Sequence, residues 1–135
     1  MKKIISALAI GFLFACCTLN DEDTSRMELL PVNTVVMPTA FAKDSITEIP
    51  VTYIRPTTCH LFYDFYYDKY AFNRTVAIYT VNFNQSGCQN DNVTIVDVPL
   101  KFKPSEIGTY HFKFWTGDDA LGVSQYIEYD AVVDH

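Results

Sequence analysis

Apolar and polar positions alternate with period two along most of the chain, and no stretch of ten or more residues keeps a helical period. Alternation of this kind suits strands that bury one face of a sheet and leave the other to water. Turn residues recur at short intervals, so about seven strands are predicted. The first spans Val32–Phe41 and is interrupted at Pro38, which suits an edge. The second, Ile46–Ile54, turns Ile49, Val51 and Tyr53 to one face, with Pro50 marking an edge or bulge. The third, Cys59–Tyr67, places Cys59, Leu61, Tyr63, Phe65 and Tyr67 inward. Arg74–Phe83 is the fourth. Val93–Phe102 follows, with Val96, Val98, Leu100 and Phe102 inward. Thr109–Thr116 buries Tyr110, Phe112 and Phe114, and Val123–Val133 buries Val123, Ile127, Tyr129, Ala131 and Val133. Short strands at regular spacing predict an all-β sandwich of about seven antiparallel strands over residues 31–135.

The beginning of the chain has a different texture. Lys2 and Lys3 precede an apolar run from Ile4 to Ala15, broken only by Ser6 and Gly11. A membrane-spanning helix needs roughly twenty apolar residues, so this run is too short to span. It matches the charged and apolar regions of a cleaved export signal, residues 1–15. At its end, Leu13-Phe14-Ala15-Cys16 resembles the bacterial lipobox, although Phe14 is bulkier than the usual residue there. That resemblance implies diacylglyceryl and acyl chains on Cys16, enough lipid to hold the protein firmly on a membrane. Cys17 is the alternative acceptor, and an ordinary secretory signal is the alternative to lipidation.

Composition sharpens this picture in one respect. The chain has 135 residues, 49% of them hydrophobic, and a formal charge of -6. Without Lys2 and Lys3, eight basic residues face sixteen acidic ones, a charge of -8. Nucleic-acid binding needs a basic footprint and is disfavoured. A basic grip on anionic lipid is disfavoured as well, so membrane attachment falls to the acyl chains. Residues 16–30 are polar and acidic and are expected to form a solvated tether. Within them Asp21-Glu22-Asp23 resembles the surface-export signal of Bacteroidetes lipoproteins. The expected location is therefore the cell envelope, on the outer membrane, facing either the periplasm or the cell surface.

Glu106-Ile107-Gly108-Thr109-Tyr110-His111-Phe112, following Leu100-Lys101-Phe102, resembles the E–F corner of immunoglobulin-like domains. In such corners a tyrosine hydroxyl bonds back to upstream backbone. Tyr110 is the corner residue on this alignment, and Phe112 stands where an antibody domain has its second core cysteine. The alternative is a plain Gly-Thr turn. Cys16, the acidic tether, two domain cysteines and the corner together resemble small flavobacterial and other Bacteroidetes lipoproteins. These carry one immunoglobulin-like or related β-sandwich. The resemblance implies location and fold; it assigns no activity.

Two cysteines remain in the domain, Cys59 and Cys88. Export into an oxidising compartment, together with their number, predicts a disulfide between them; two buried thiols are the alternative. His60, His111 and His135 show no metal-ligand spacing, and His111 alternates with inward rings, so it is expected in solvent. Asp91 and the pair Asp118-Asp119 are loop acids that could meet Ca²⁺ but match no EF-hand. Phosphate loops, nucleophile elbows and zinc-protease motifs are absent from the sequence. No cofactor and no catalytic activity are expected. Asp44-Ser45-Ile46 resembles the acceptor of the Bacteroidetes O-glycosylation system, which makes Ser45 a candidate site; a simple Asp-Ser turn is the alternative. The sequons at Asn73, Asn84 and Asn92 are read as chance.

Two function classes follow. One is an interaction or scaffold module contacting another envelope protein. The other is a carbohydrate-binding module within a glycan-uptake system. Phe62, Tyr66 and Trp115 fall out of phase with the inward stripes of their strands and are the candidate binding residues. They are expected on the solvent side, where flat rings could stack on a sugar or meet a partner. The alternative is that they pack against other strands or the tether.

Overall fold

The computed structural model describes residues 25–135. Cys16, Cys17, the expected export signal and Asp21-Glu22-Asp23 lie outside the described residues. The described chain is all-β: β1 (Ser25–Leu30), β2 (Thr34–Val35), β3 (Thr47–Ile54), β4 (His60–Tyr70), β5 (Asn73–Phe83), β6 (Ile95–Phe102), β7 (Gly108–Asp118) and β8 (Ser124–Val133). They form a β-sandwich. One sheet holds β1, β4, β5, β7 and β8; the other holds β2, β3 and β6.

The inward stripes read from alternation meet between the sheets. Ile49, Val51 and Tyr53 of β3 and Val98, Leu100 and Phe102 of β6 are buried against Val76 and Ile78 of β5 and Phe112 and Phe114 of β7. Phe102 is the hub, with ring centroids 4.9 Å from Phe112, 5.1 Å from Tyr110 and 5.8 Å from Phe41. Edge-to-face rings at such spacings add to the area they bury. Ala131 and Val133 of β8 complete the core, whereas Val123 precedes its strand and is exposed.

The corner forms as its sequence predicts. Tyr110 is 1% exposed, and its hydroxyl donates to the carbonyl of Glu106 and accepts the Glu106 N–H, both at 3.1 Å. Gly108 enters β7 at φ +146°, and a β-carbon there would stand 2.8 Å from the Phe72 ring. Only glycine fits both the backbone and the gap.

Four features depart from the sequence expectations. The supposed tether ends early: Ser25–Leu30 is a strand, pairing with Phe83–Ile78 of β5. Its charge obscured this. Arg26 and Glu28 read as solvated, but Glu28 is bonded by His60 and Asn82 while Leu30 joins the core. Second, the long first strand shrinks to Thr34–Val35, and Phe41 touches Val133 only through an isolated bridge.

Third, pairing is not wholly antiparallel, since Asn73–Val76 runs parallel to His111–Phe114. After β5 the chain crosses to the other sheet, returns along β6, and re-enters the first sheet from the end where β5 began. The next strand must then run in the direction of β5. β1 pairs with the later half of β5, and Val32 N–H reaches the Trp115 carbonyl at 2.8 Å. Fourth, β4 carries a bulge between Phe62 and Asp64. A bulge inserts one residue and reverses the facing of what precedes it. Phe65 and Tyr67 face the core side as predicted, while Leu61 and Tyr63 are exposed.

Candidate functional site

The outer face of a sandwich sheet is ordinarily polar. Here, mid-face, β5 presents two small side chains, Thr75 and Ala77, and the flanking strands raise rings around them. Tyr66 of β4 lies opposite Ala77 in register, and Trp115 of β7 lies opposite Tyr126 of β8. With Leu29 of β1, Asp118 and Ser124, these residues line an open cleft of about 260 Å³. A small floor between large walls makes the depression.

The walls are braced. Tyr66 meets Tyr79 edge to face at 6.0 Å. Trp115 donates its indole N–H to Asp118 Oδ1 at 3.2 Å, and Ser124 Oγ donates to the same oxygen at 2.7 Å. Asp118 reaches this position through a second irregularity, between Trp115 and Gly117. In strict alternation, residues 115 and 118 would face opposite sides. The extra residue restores Asp118, opposite Ser124, to the face of Trp115. Gly117 at φ +106° carries the distortion, which L side chains rarely adopt. Lys113 extends over the Tyr126 ring and pairs with Glu128 at 3.6 Å.

Two of the three residues singled out by phase, Tyr66 and Trp115, therefore meet. Phe62 does not join them, which corrects the expectation. The β4 bulge turns it to the core side, where its ring lies 5.2 Å from Phe65 and 6.4 Å from Tyr53. Phe62 lines a different groove of about 370 Å³ at the open edge between β4 and β6, with Tyr67, Pro99 and Lys101. Tyr126, Leu29 and Asp118 are cleft residues that phase did not single out for recognition. Leu29 was hidden in the supposed tether, and Asp118 was read as a loop acid.

The other singled-out residues lie elsewhere. Cys59 and Cys88 form the disulfide, with Cα atoms 5.5 Å apart. It fastens the loop after β5 to the start of β4, beside the Arg55–Asp91 ion pair at 2.6 Å. That guanidinium holds the Asp91 carboxyl well below the usual range, helped by bonds from Thr94. Ser45 is exposed after a turn in which Asp44 has φ +61°. His111 is exposed and bonded to Asp130. Asp119 shapes the β7–β8 turn, its Oδ1 accepting the N–H groups of Leu121 and Val123. No group of three or more candidate metal-binding side chains occurs among the described residues.

Two buried polar arrangements were not foreseen. His60, 4% exposed, donates through Nε2 to Glu28 at 2.7 Å, and its Nδ1 lies 2.8 Å from the Thr57 hydroxyl. This links β1 to the start of β4. The bond from His60, supported by those from Asn82 and Arg26, holds the Glu28 carboxyl down at about 2 against the opposing effect of burial. At the other end, Arg74 lies over the Tyr110 ring at 4.9 Å and donates to the carbonyls of Ala71 and Asn73. It fixes the β4–β5 hairpin to the corner.

Comparison of the chain with family models, with curated proteins and with solved structures finds no match.

Proposed function

We propose that the protein is a non-enzymatic lipoprotein of the bacterial cell envelope, anchored through Cys16, that acts as an interaction module. Its recognition surface is the cleft of Tyr66, Trp115 and Tyr126. One observation carries this reading: rings from three strands gather on the solvent face of a sheet, over a floor of Ala77 and Thr75. Core filling does not require them, because the other face of the same sheet already supplies the core. Exposed apolar surface of this kind marks contact sites.

The cleft's chemistry supports binding without turnover. Asp118 is its one carboxylate, tied to Trp115 and Ser124, and no histidine or second acid lines the cleft to act with it. General acid–base catalysis needs a group placed to exchange a proton with the substrate. The immunoglobulin-like kinship of the sandwich is part of the same proposal, supported by the Tyr110 corner.

Fractionation of cells carrying Cys16→Ala tests the anchor. The variant is expected to leave the membrane fraction and to lose incorporation of a palmitate analogue; full retention of both refutes anchoring. A Trp115→Ala variant tests the surface. It should stay folded and lose its envelope ligand. Sustained turnover of any glycan or peptide by clean protein refutes the non-enzymatic assignment.

A further inference from the structure

We infer that the cleft binds one neutral sugar ring of a glycan. The assignment rests on the cleft being the recognition surface proposed above, and it adds the ligand's class, size and charge.

Size comes first. Pockets that enclose drug-sized ligands measure about 300–1,000 Å³. At about 260 Å³, this open cleft is just below that range and holds one six-membered ring, not an oligosaccharide. Wall chemistry comes next. Trp115, Tyr66 and Tyr126 offer flat apolar surface to the C–H faces of a pyranose, while the two tyrosines keep polar handles for its hydroxyls. A purely hydrophobic ligand would leave the second carboxylate oxygen of Asp118, which neither Trp115 nor Ser124 engages, desolvated and unpaired, which is costly.

The carboxylate gives the third constraint. Asp118 Oδ1 is occupied by Trp115 and Ser124, whereas Oδ2 makes no hydrogen bond among the described residues. A free carboxylate oxygen beside an aromatic wall is an acceptor for a sugar hydroxyl, and charged hydrogen bonds are among the stronger ones. The lining contains no Lys, Arg or His, and the neighbouring Lys113 is engaged by Glu128. A uronate or sulfated sugar would bring a second negative charge to Asp118 with no cation to offset it. The ligand is therefore neutral.

Full-length lipidated protein in a detergent without a sugar headgroup is titrated with neutral oligosaccharides. Glucan, mannan, galactan and xylan fragments serve as probes, with oligogalacturonate as the charged comparison. Saturation-transfer NMR and Trp115 fluorescence are the readouts. At least one neutral fragment should bind, with oligogalacturonate at least tenfold weaker. Asp118→Asn should narrow that gap. Ala77→Leu, which fills the floor, should weaken binding at least tenfold. Tyr126→Ala, on an exposed ring, should weaken it without altering the thermal melt, and so guards against a folding failure in Ala77→Leu. Absence of binding to every neutral fragment overturns the inference, as does equal binding of oligogalacturonate to the unaltered protein. An envelope protein that Tyr126→Ala fails to capture, with no sugar bound, overturns the sugar and leaves the interaction module standing. Absence of both a sugar and an envelope partner for the unaltered protein overturns the two together.

Discussion

Replacing Tyr110 by Phe removes one oxygen from a fully buried ring and nothing else. The hydroxyl satisfies both backbone groups of Glu106, accepting from its N–H and donating to its carbonyl, each at 3.1 Å. The ring contacts survive: Phe72 at 4.9 Å, Phe102 at 5.1 Å and the Arg74 guanidinium at 4.9 Å do not involve the oxygen. A net hydrogen bond contributes about 0.5–1.5 kcal/mol, and a buried group left unpaired costs about 1–3 kcal/mol. The Glu106 backbone is close enough to the surface for water to recover part of the loss. The expected destabilisation is about 1–2 kcal/mol. With an unfolding entropy of about 2.1 cal/mol/K per residue, a domain of this length loses about 4–9 °C in melting temperature. Urea melts followed by Trp115 fluorescence give the free energy, and an unchanged m-value shows that the unfolded state is unaffected. Tyr129→Phe is the comparison, because its hydroxyl stands 3.5 Å from the Val35 carbonyl, at the limit of a hydrogen bond. It should cost less than about 0.5 kcal/mol. Equal effects for the two variants, or none for Tyr110→Phe, refute the corner as a hydrogen-bonded device.

Two further perturbations test other joints. Replacing Cys59 and Cys88 together by Ala opens a covalent loop with a sequence separation of 29; the chain-entropy estimate is a loss of about 3.6 kcal/mol, and a melt unmoved by this double change or by reductant refutes it. Glu28 supplies a pH test, since its carboxyl is held at about 2 against an ordinary value of 4.5. A depressed carboxyl contributes stability that is complete above its unfolded value and is lost as pH falls through its folded one. Stability should decline between about pH 4.5 and 2, and Glu28→Gln should flatten that decline while lowering stability at neutral pH. Parallel acid titrations of the two proteins, offset but alike in slope, refute a role for the His60–Glu28 link.

The sequence by itself determined the class of fold and most of the core. Period-two alternation needs only local geometry, so Ile49-Val51-Tyr53, Val98-Leu100-Phe102 and Tyr110-Phe112-Phe114 were legible without knowing their partners. The corner was legible for a similar reason: glycine, tyrosine and the backbone they engage lie within a few residues. The disulfide followed from the expected compartment and the number of cysteines. What failed was whatever depends on a neighbour distant in sequence. Glu28 looked solvated because His60, 32 positions away, is what makes its burial tolerable. Phe62 and Tyr66 looked alike because a bulge leaves no mark in alternation; it is set by how β4 fits β5. Asp118 joined Trp115 through the same kind of extra residue in β7. The parallel pairing came from the path through the second sheet, a property of the whole chain. Tertiary structure alone decided the cleft, because a small floor becomes a site only when strands far apart in sequence raise rings around it.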